Sequence, residues 1–286
     1  MAFGDGESAA MRRTLLVVGS VWVLVLIAFA VSLSSTPLQT SLYQQVLAKF
    51  VSATEVQKAQ QYIDALADGH VDVVASRLAP TLSPTKLKEF PKYFPAGRRE
   101  SSALIGFQVR FVNGLTDYNI SFEERYPHSW VETFVNFADD PSGTVIAGAG
   151  VYPSARSLED INALTVRGKS AQQLLFLILS VIVPTFVVLT ITVAIRTPIR
   201  RRKWLWIVFV AVGFTSIQMN WTTGQMGYLL TAFSTLGGFI VRPSPYSPWI
   251  LTISLPIGAI VFWIRRPALM RKADQERAPS LLPDPA

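Results

Sequence analysis

Four apolar runs constrain this chain more than anything else in it. Thr14 to Leu33 is 20 residues without a charge, and Leu174 to Ile195 is 22. Each reaches the roughly 20 residues that a helix needs to cross the hydrocarbon core of a bilayer. Pro184 interrupts the second run, which reads as a kink that neighbouring helices can satisfy. Trp204 to Val241 is uncharged for 38 residues, too long for one crossing, and Trp249 to Ile264 ends in Trp263, Arg265 and Arg266. Aromatic ends and a basic stop are the expected borders of a span. Only 16% of the chain is charged, against roughly a quarter in soluble domains.

The basic residues give the topology. Arg12 and Arg13 precede the first run; Arg196, Arg200, Arg201, Arg202 and Lys203 follow the second; Arg265, Arg266, Arg271, Lys272 and Arg277 follow the last. Such clusters collect in cytoplasmic loops, so an even number of crossings is expected between each pair. The resulting expectation is an α-helical transmembrane bundle of four spans, with five as the alternative if Gly227 to Val241 also inserts. Its parts are a cytoplasmic tail at 1–13, spans at 14–33, 174–195, 204–219 and 249–264, and a basic cytoplasmic loop at 196–203. An external interfacial or re-entrant segment at 220–248 and a cytoplasmic tail at 265–286 complete it. The first run also has the basic start and the Ala28-Phe29-Ala30 site of a signal peptide, but its apolar length favours an uncleaved anchor over the usual 7–15 residues.

Residues 34–170 read as an external soluble domain with linkers, α+β in class. A polar linker runs from Ser34 to Thr40. Thr54 and Gln57 have the spacing of a capping box, and Val56, Ala59, Ile63 and Leu66 recur at helical intervals up to Gly69. Val71, Val74 and Leu78 suggest a second helix, and Ser83-Pro84 starts a third. The period then becomes two: Ile105, Phe107, Val109 and Phe111 before Asn113-Gly114, then Tyr118, Ile120 and Phe122. Strands are expected at Ser129 to Phe137 and Thr144 to Val151, with a turn at Asp139 to Gly143 between them. Ser157 and Asp160 are spaced to cap a short helix. Helices first and an antiparallel meander of four strands after is one α+β arrangement.

That order, with Tyr118 to Pro127 and Trp130 in its middle strands, resembles the NTF2-like cone family over about residues 50 to 155. The membrane half, with Arg196-Thr197-Pro198, Arg202 to Trp206 and Asn220 to Gly224, is similar to bacterial inner-membrane proteins of uncharacterised activity. The resemblance implies a periplasmic domain on a multi-pass inner-membrane base, with both termini cytoplasmic. It also implies a pocket between sheet and helices, for which Tyr62, Arg110, Tyr118, Glu132 and Asn136 are the polar lining candidates.

Chemistry is sparsely marked. Tyr118, Glu132 and His128 are the candidate catalytic residues. His128 lies near Glu123 and Glu124 but follows Pro127 in a strand-to-strand turn, which reads as a solvent-exposed side chain without a role. Neighbouring residues of a strand face opposite sides, so Glu123 and Glu124 are no dyad. The absence of cysteine excludes thiol nucleophiles and Cys-ligated zinc, and His70 and His128 are too isolated to suggest a metal site. Gly148-Ala149-Gly150 lacks the third glycine and the helix of a phosphate loop, and no Gly-x-Ser-x-Gly elbow occurs. No cofactor is expected. The chain carries a formal charge of +7, but residues 35–170 hold 13 basic and 14 acidic residues. The excess therefore lies at span ends and is not read as a nucleic-acid footprint. The leading expectation is a non-enzymatic binding or assembly module whose partners are the bilayer and an envelope protein, a small ligand or a second copy of the chain. A membrane-anchored enzyme and a channel or transport accessory are the alternatives.

Overall fold

The computed structural model describes residues 16–24, 36–70, 72, 74, 77–79, 87–112, 115–140, 143–199 and 202–275. The chain divides into two compact units. The meander unit is Ser35–Ala163 with Pro243–Ser247; the apolar unit is Met1–Ser34 with Leu164–Arg242 and Pro248–Ala286.

The meander unit opens with helices α1 (Thr36–Phe50) and α2 (Ala53–Ala67) and continues into β1 (Ser101–Val112), β2 (Leu115–Tyr126), β3 (Ser129–Asp140) and β4 (Gly143–Ser154). The strands form one antiparallel sheet in chain order. Helix α2 sets its apolar stripe, Ala59, Tyr62, Ile63 and Leu66, into a core with Ile120, Phe122, Val135, Phe137 and Ile146. Each such large side chain contributes about 1.5–3 kcal/mol when fully buried. Helix α2 starts at Ser52, so the capping box expected at Thr54 does not form. It stops where Gly69 takes φ +77°, with the His70 N–H returning to the Ala65 carbonyl. Helix α1 begins inside the linker expected at Ser34 to Thr40 and continues to Phe50 through residues that the sequence pattern left unassigned. Ser157 accepts from the Asp160 N–H at 3.1 Å and caps α3 (Leu158–Ile161). The turn expected at Asn113-Gly114 and the helix start at Ser83-Pro84 lie outside the described residues; of the turn expected at Asp139 to Gly143, Asp139 and Asp140 end β3, Gly143 starts β4, and Pro141 and Ser142 lie outside the described residues.

The apolar unit corrects the expected architecture. Residues 16–24 are helical, and the rest of the first run lies outside the described residues. Helix α4 (Ala171–Arg196) replaces the span drawn at 174–195 and runs unbroken through Pro184. Ser170 and Gln173 cap it reciprocally, the Gln173 N–H donating to Ser170 Oγ and the Ser170 N–H to Gln173 Oε1. Beyond it the helical bundle of four spans is not formed. Helix α5 (Lys203–Ala211) has nine residues, about 14 Å at 1.5 Å per residue, too short to cross. The chain then enters a second antiparallel sheet of β5 (Val212–Asn220), β6 (Met226–Thr235), β7 (Gly238–Val241) and β8 (Ile250–Leu255), in the order β6-β5-β8-β7. Helix α6 (Ile257–Gln275) follows. The 204–219 span is thus α5 plus a strand, and the 249–264 span is a strand plus the start of α6. The 220–248 segment is a β5–β6 hairpin and β7, and Gly227 to Val241 contributes strands to that sheet, which also removes the five-span alternative. Among the described residues, α4 is the one helix long and apolar enough to cross a membrane.

The switch from helix to strand has a local cause. Ile217, Met219, Leu251 and Ile253 alternate with Ser216, Gln218, Thr252 and Ser254, a period of two. The apolar set packs with Phe176 and Leu177 of α4, together with Trp221 and Trp249. On the other face Ser254 Oγ pairs with Ser216 Oγ at 2.8 Å and with Ser234 Oγ. Asn220 makes the hairpin turn, its side-chain oxygen accepting from the Thr222 and Thr223 N–H groups, with Gly224 at φ +74°. Trp221 and Trp249 are 0% and 4% exposed; they are core residues rather than interfacial anchors.

Candidate ligand groove

An open groove of about 590 Å³ lies in the meander unit, between α1, α2 and the first two strands. Its apolar floor includes Val51, Val56, Leu104 and Phe122, and its polar wall is Gln44, Gln57, Gln60, Arg99 and Ser102. The volume falls in the range of ligand pockets, roughly 300–1,000 Å³. Gln57 and Gln60 stand three residues apart on α2 and share one side of the helix. Gln44 projects from α1, its amide donating to the Leu104 carbonyl at 2.6 Å and to the Tyr246 hydroxyl at 3.1 Å.

One network fixes the polar wall. Arg99 Nη1 reaches Asp64 Oδ1 at 2.6 Å and Glu124 Oε1 at 2.8 Å. The Gln60 amide donates to the same two carboxylates at 3.1 Å each, and Gln60 Oε1 accepts from the Ser102 hydroxyl at 2.9 Å. Tyr126 donates to Glu124 Oε2 at 3.4 Å. Burial pulls the Arg99 guanidinium toward neutrality, but its hydrogen bonds and the charges of Asp64 and Glu124 outweigh this and raise its pKa. Burial, then the Glu124 charge, push the Tyr126 hydroxyl up to about 12. Arg99, Asp64 and Glu124 together carry a net charge of −1 at neutral pH, so an anionic ligand gains nothing at this wall.

The outer face of the sheet carries a second cluster. Glu123 of β2 lies directly opposite Glu132 of β3, and such cross-strand pairs stand close enough for like charges to repel. Burial pushes Glu123 up; the Leu158 N–H, donating to its Oε1 at 2.5 Å, opposes this, and the charges of Glu159, Glu132 and Asp160 add to it. Burial likewise raises Glu132. Two residues along β3 on this face, the Phe134 ring covers Gly150 and stacks on Tyr152 at 6.1 Å. A Cβ at Gly150 would lie 2.1 Å from that ring, which accounts for a glycine in the Gly148-Ala149-Gly150 stretch.

The residues singled out from the sequence do not converge. Tyr118 stacks on Phe137 at 5.4 Å on the core side, and Tyr62 packs edge-on to the same ring while accepting from Arg77 at 2.9 Å. Glu132, Arg110 and Asn136 are on the outer face. Arg110 is paired with Asp117 at 2.9 Å, and Asn136 lies opposite Gly148 with its side-chain oxygen buried and unpaired. His128 is exposed in the β2–β3 turn. The groove residues Gln44, Gln60 and Arg99 were not anticipated, and Glu124, buried beneath them and holding Arg99, was weighed only as a neighbour of Glu123 and His128; the one sequence signal is Gln57 and Gln60 flanking the apolar stripe of α2. Among the described residues no group of three His, Asp or Glu side chains is arranged to hold a metal ion. Compared with family models, curated proteins and solved structures, the chain matches none of them.

Proposed function

We propose that this chain is a membrane-anchored binding module whose ligand is neutral, apolar in part and rich in amide-like hydrogen-bonding groups, such as a short uncharged peptide. The observation that carries this reading is the state of the groove wall. Its cation is bridged to two carboxylates, the Gln57 amide brings a donor and an acceptor while the N–H groups of Gln44 and Gln60 are held within the fold, and among the described residues no nucleophile with a neighbouring base lines it. Such a wall orients a ligand and supplies no acid–base step. The likeness of the meander to the NTF2-like cone family suits the same reading. Anchoring is assigned to α4: only 28% of its most apolar window is buried, and so large an exposed apolar surface is unfavourable in water and at home in lipid.

The test is ligand-observed NMR on the full chain in detergent, with capped apolar tripeptides as probes. Binding is expected to weaken about tenfold in Gln57→Leu, which removes hydrogen bonds of roughly 1–1.5 kcal/mol. Equal signals from this variant and the unaltered chain would exclude the groove.

A second reading, an enzyme, is favoured by the Glu123–Glu132 pair, because two raised carboxyls directly opposite each other on neighbouring strands are placed to interact as they titrate. Turnover of any substrate that Glu132→Gln abolishes, with the groove variant unaffected, would favour it.

A further inference from the structure

We propose that the outer edge of β6 pairs with the β6 edge of a second copy of this chain, joining their sheets into one. The two sheets have four edge strands, β1, β4, β6 and β7, and three of these edges are covered. At the β1 edge Tyr43 of α1 donates to the Ile105 carbonyl at 3.1 Å and Gln44 to the Leu104 carbonyl at 2.6 Å. At the β4 edge the Ile146 N–H donates to the Arg77 carbonyl at 2.7 Å, and the Ala79 N–H to the Ile146 carbonyl at 2.9 Å. Strand β7 has four residues, and α4 packs against it, with Val183 and Val187 set on Gly237 just before it. Strand β6 has ten residues, and the element that packs along it is β5, on its inner side.

Met226 to Leu229 pair in regular register with Met219 to Ser216 of β5, so every second N–H and C=O of this stretch points away from the sheet. Exposed edges are normally blunted by proline or charge, lysine above all, and Met226 to Thr235 holds neither. In water so long and apolar an edge is a pairing site; in lipid its main chain finds no other partner. Every residue from Gly227 to Thr231 is exposed, so both faces of the strand are open. Gly227 has open space where a Cβ would stand and no left-handed φ, so neither crowding nor conformation within the chain requires a glycine there. A second backbone approaching closely does. Tyr228, Leu229, Leu230 and Phe233 are 66%, 44%, 75% and 72% exposed. Together they open roughly 400 Å² of apolar surface. That is about half of the roughly 800 Å² that each partner of a standard interface contributes, before any main chain is added. A second copy is the occupant that suits this edge. Identical uncharged strands meet without burying a charge, and two equal edges close about a two-fold axis instead of propagating.

The test joins native mass spectrometry of the full chain in detergent to oxidative cross-linking of single cysteines, placed in a chain that has none. The unaltered chain is expected at twice the mass of one copy. Pairing about a two-fold axis sets a residue near the axis opposite itself, with Cα atoms about 4.5–5.5 Å apart, within disulfide reach. At least one of Tyr228→Cys, Leu229→Cys and Leu230→Cys is therefore expected to link two copies, while Phe239→Cys on β7, 45% exposed, stays unlinked. These positions are exposed in the single copy, so the substitutions leave its fold intact. A single-copy mass for the unaltered chain would overturn the proposal whatever the variants do. A dimer that links at none of the three β6 positions, or links at Phe239→Cys in their place, would put the interface on another face and also overturn it.

Discussion

The indole N–H of Trp22 donates to the hydroxyl oxygen of Thr185 at 2.8 Å, tying the helical segment at residues 16–24 to the middle of α4. The Thr185 hydroxyl in turn donates to the Val181 carbonyl at 2.7 Å. Five residues on, Thr190 repeats the arrangement, accepting from Trp263 and donating to the Phe186 carbonyl. Neutral donor and acceptor pairs of this kind join apolar helices without desolvating a charge. Trp22→Phe keeps the packing and removes the donor. It is expected to lower stability by about 0.5–1.5 kcal/mol, read as unfolding of the full chain in detergent; unchanged unfolding would mean the bond contributes nothing.

The groove network contains one arm that matters for folding and one that does not. Glu124 is 0% exposed, so Arg99→Ala leaves a buried carboxylate without its cation and is expected to cost about 3–5 kcal/mol. Asp64, with its side chain 42% exposed, belongs to the solvent-facing arm, and Asp64→Asn is expected to cost no more than about 1 kcal/mol. Denaturant titration separates the two. Equal losses would contradict the division, and Arg99→Met/Glu124→Gln should recover most of the larger loss.

The raised carboxyls and phenol give a pH dependence of definite sign. Glu123 and Glu132 hold their protons more tightly folded than unfolded. Their contribution is complete below the ordinary carboxyl value near 4.3 and is lost as pH rises through their raised values. Tyr126, at about 12, behaves likewise from about 10 upward. Glu132→Gln is therefore expected to flatten the stability profile on the weakly acidic side. In Tyr126→Phe the latest-ionising phenol should vanish from the ultraviolet titration. A steeper acidic-side fall in Glu132→Gln would reverse the assignment.

Helices α5 and α6 approach as closely as Gly258 allows. A Cβ there would stand 1.8 Å from the Phe209 carbonyl oxygen, and a backbone atom cannot rotate aside. Gly258→Ala is expected to cost about 1–3 kcal/mol, the usual range for overpacking, with thermal unfolding as the measurement. Gly150→Ala, whose obstacle is the Phe134 ring, should cost less and be relieved in Phe134→Leu.

The legible parts of the fold were those where one period dominates locally. The stripe Ala59, Ile63, Leu66 is α2, and the alternation from Ile105 to Phe122 lies in β1 and β2. Helix α1 was obscured because Leu42, Val46 and Phe50, exposed apolar residues, mark no buried stripe. The second sheet was read as helix because charge-free length outweighed the alternation of Ser216 and Gln218 with Ile217 and Met219, whose small hydroxyls count as neutral in a span. The groove was hidden for another reason. Gln44, Gln60 and Arg99 come from three separate segments, and only the packing of α1 and α2 on the sheet brings them together over the buried Glu124.

The most direct measurement is sided labelling of single cysteines, since the chain contains none of its own. Thr54→Cys in the meander unit, Val166→Cys before α4 and Arg202→Cys after it are treated with a membrane-impermeant maleimide in sealed membrane vesicles. The result expected is that Thr54→Cys and Val166→Cys react from one side and Arg202→Cys only from the other. Labelling of all three from the same side would contradict a bilayer crossing by α4.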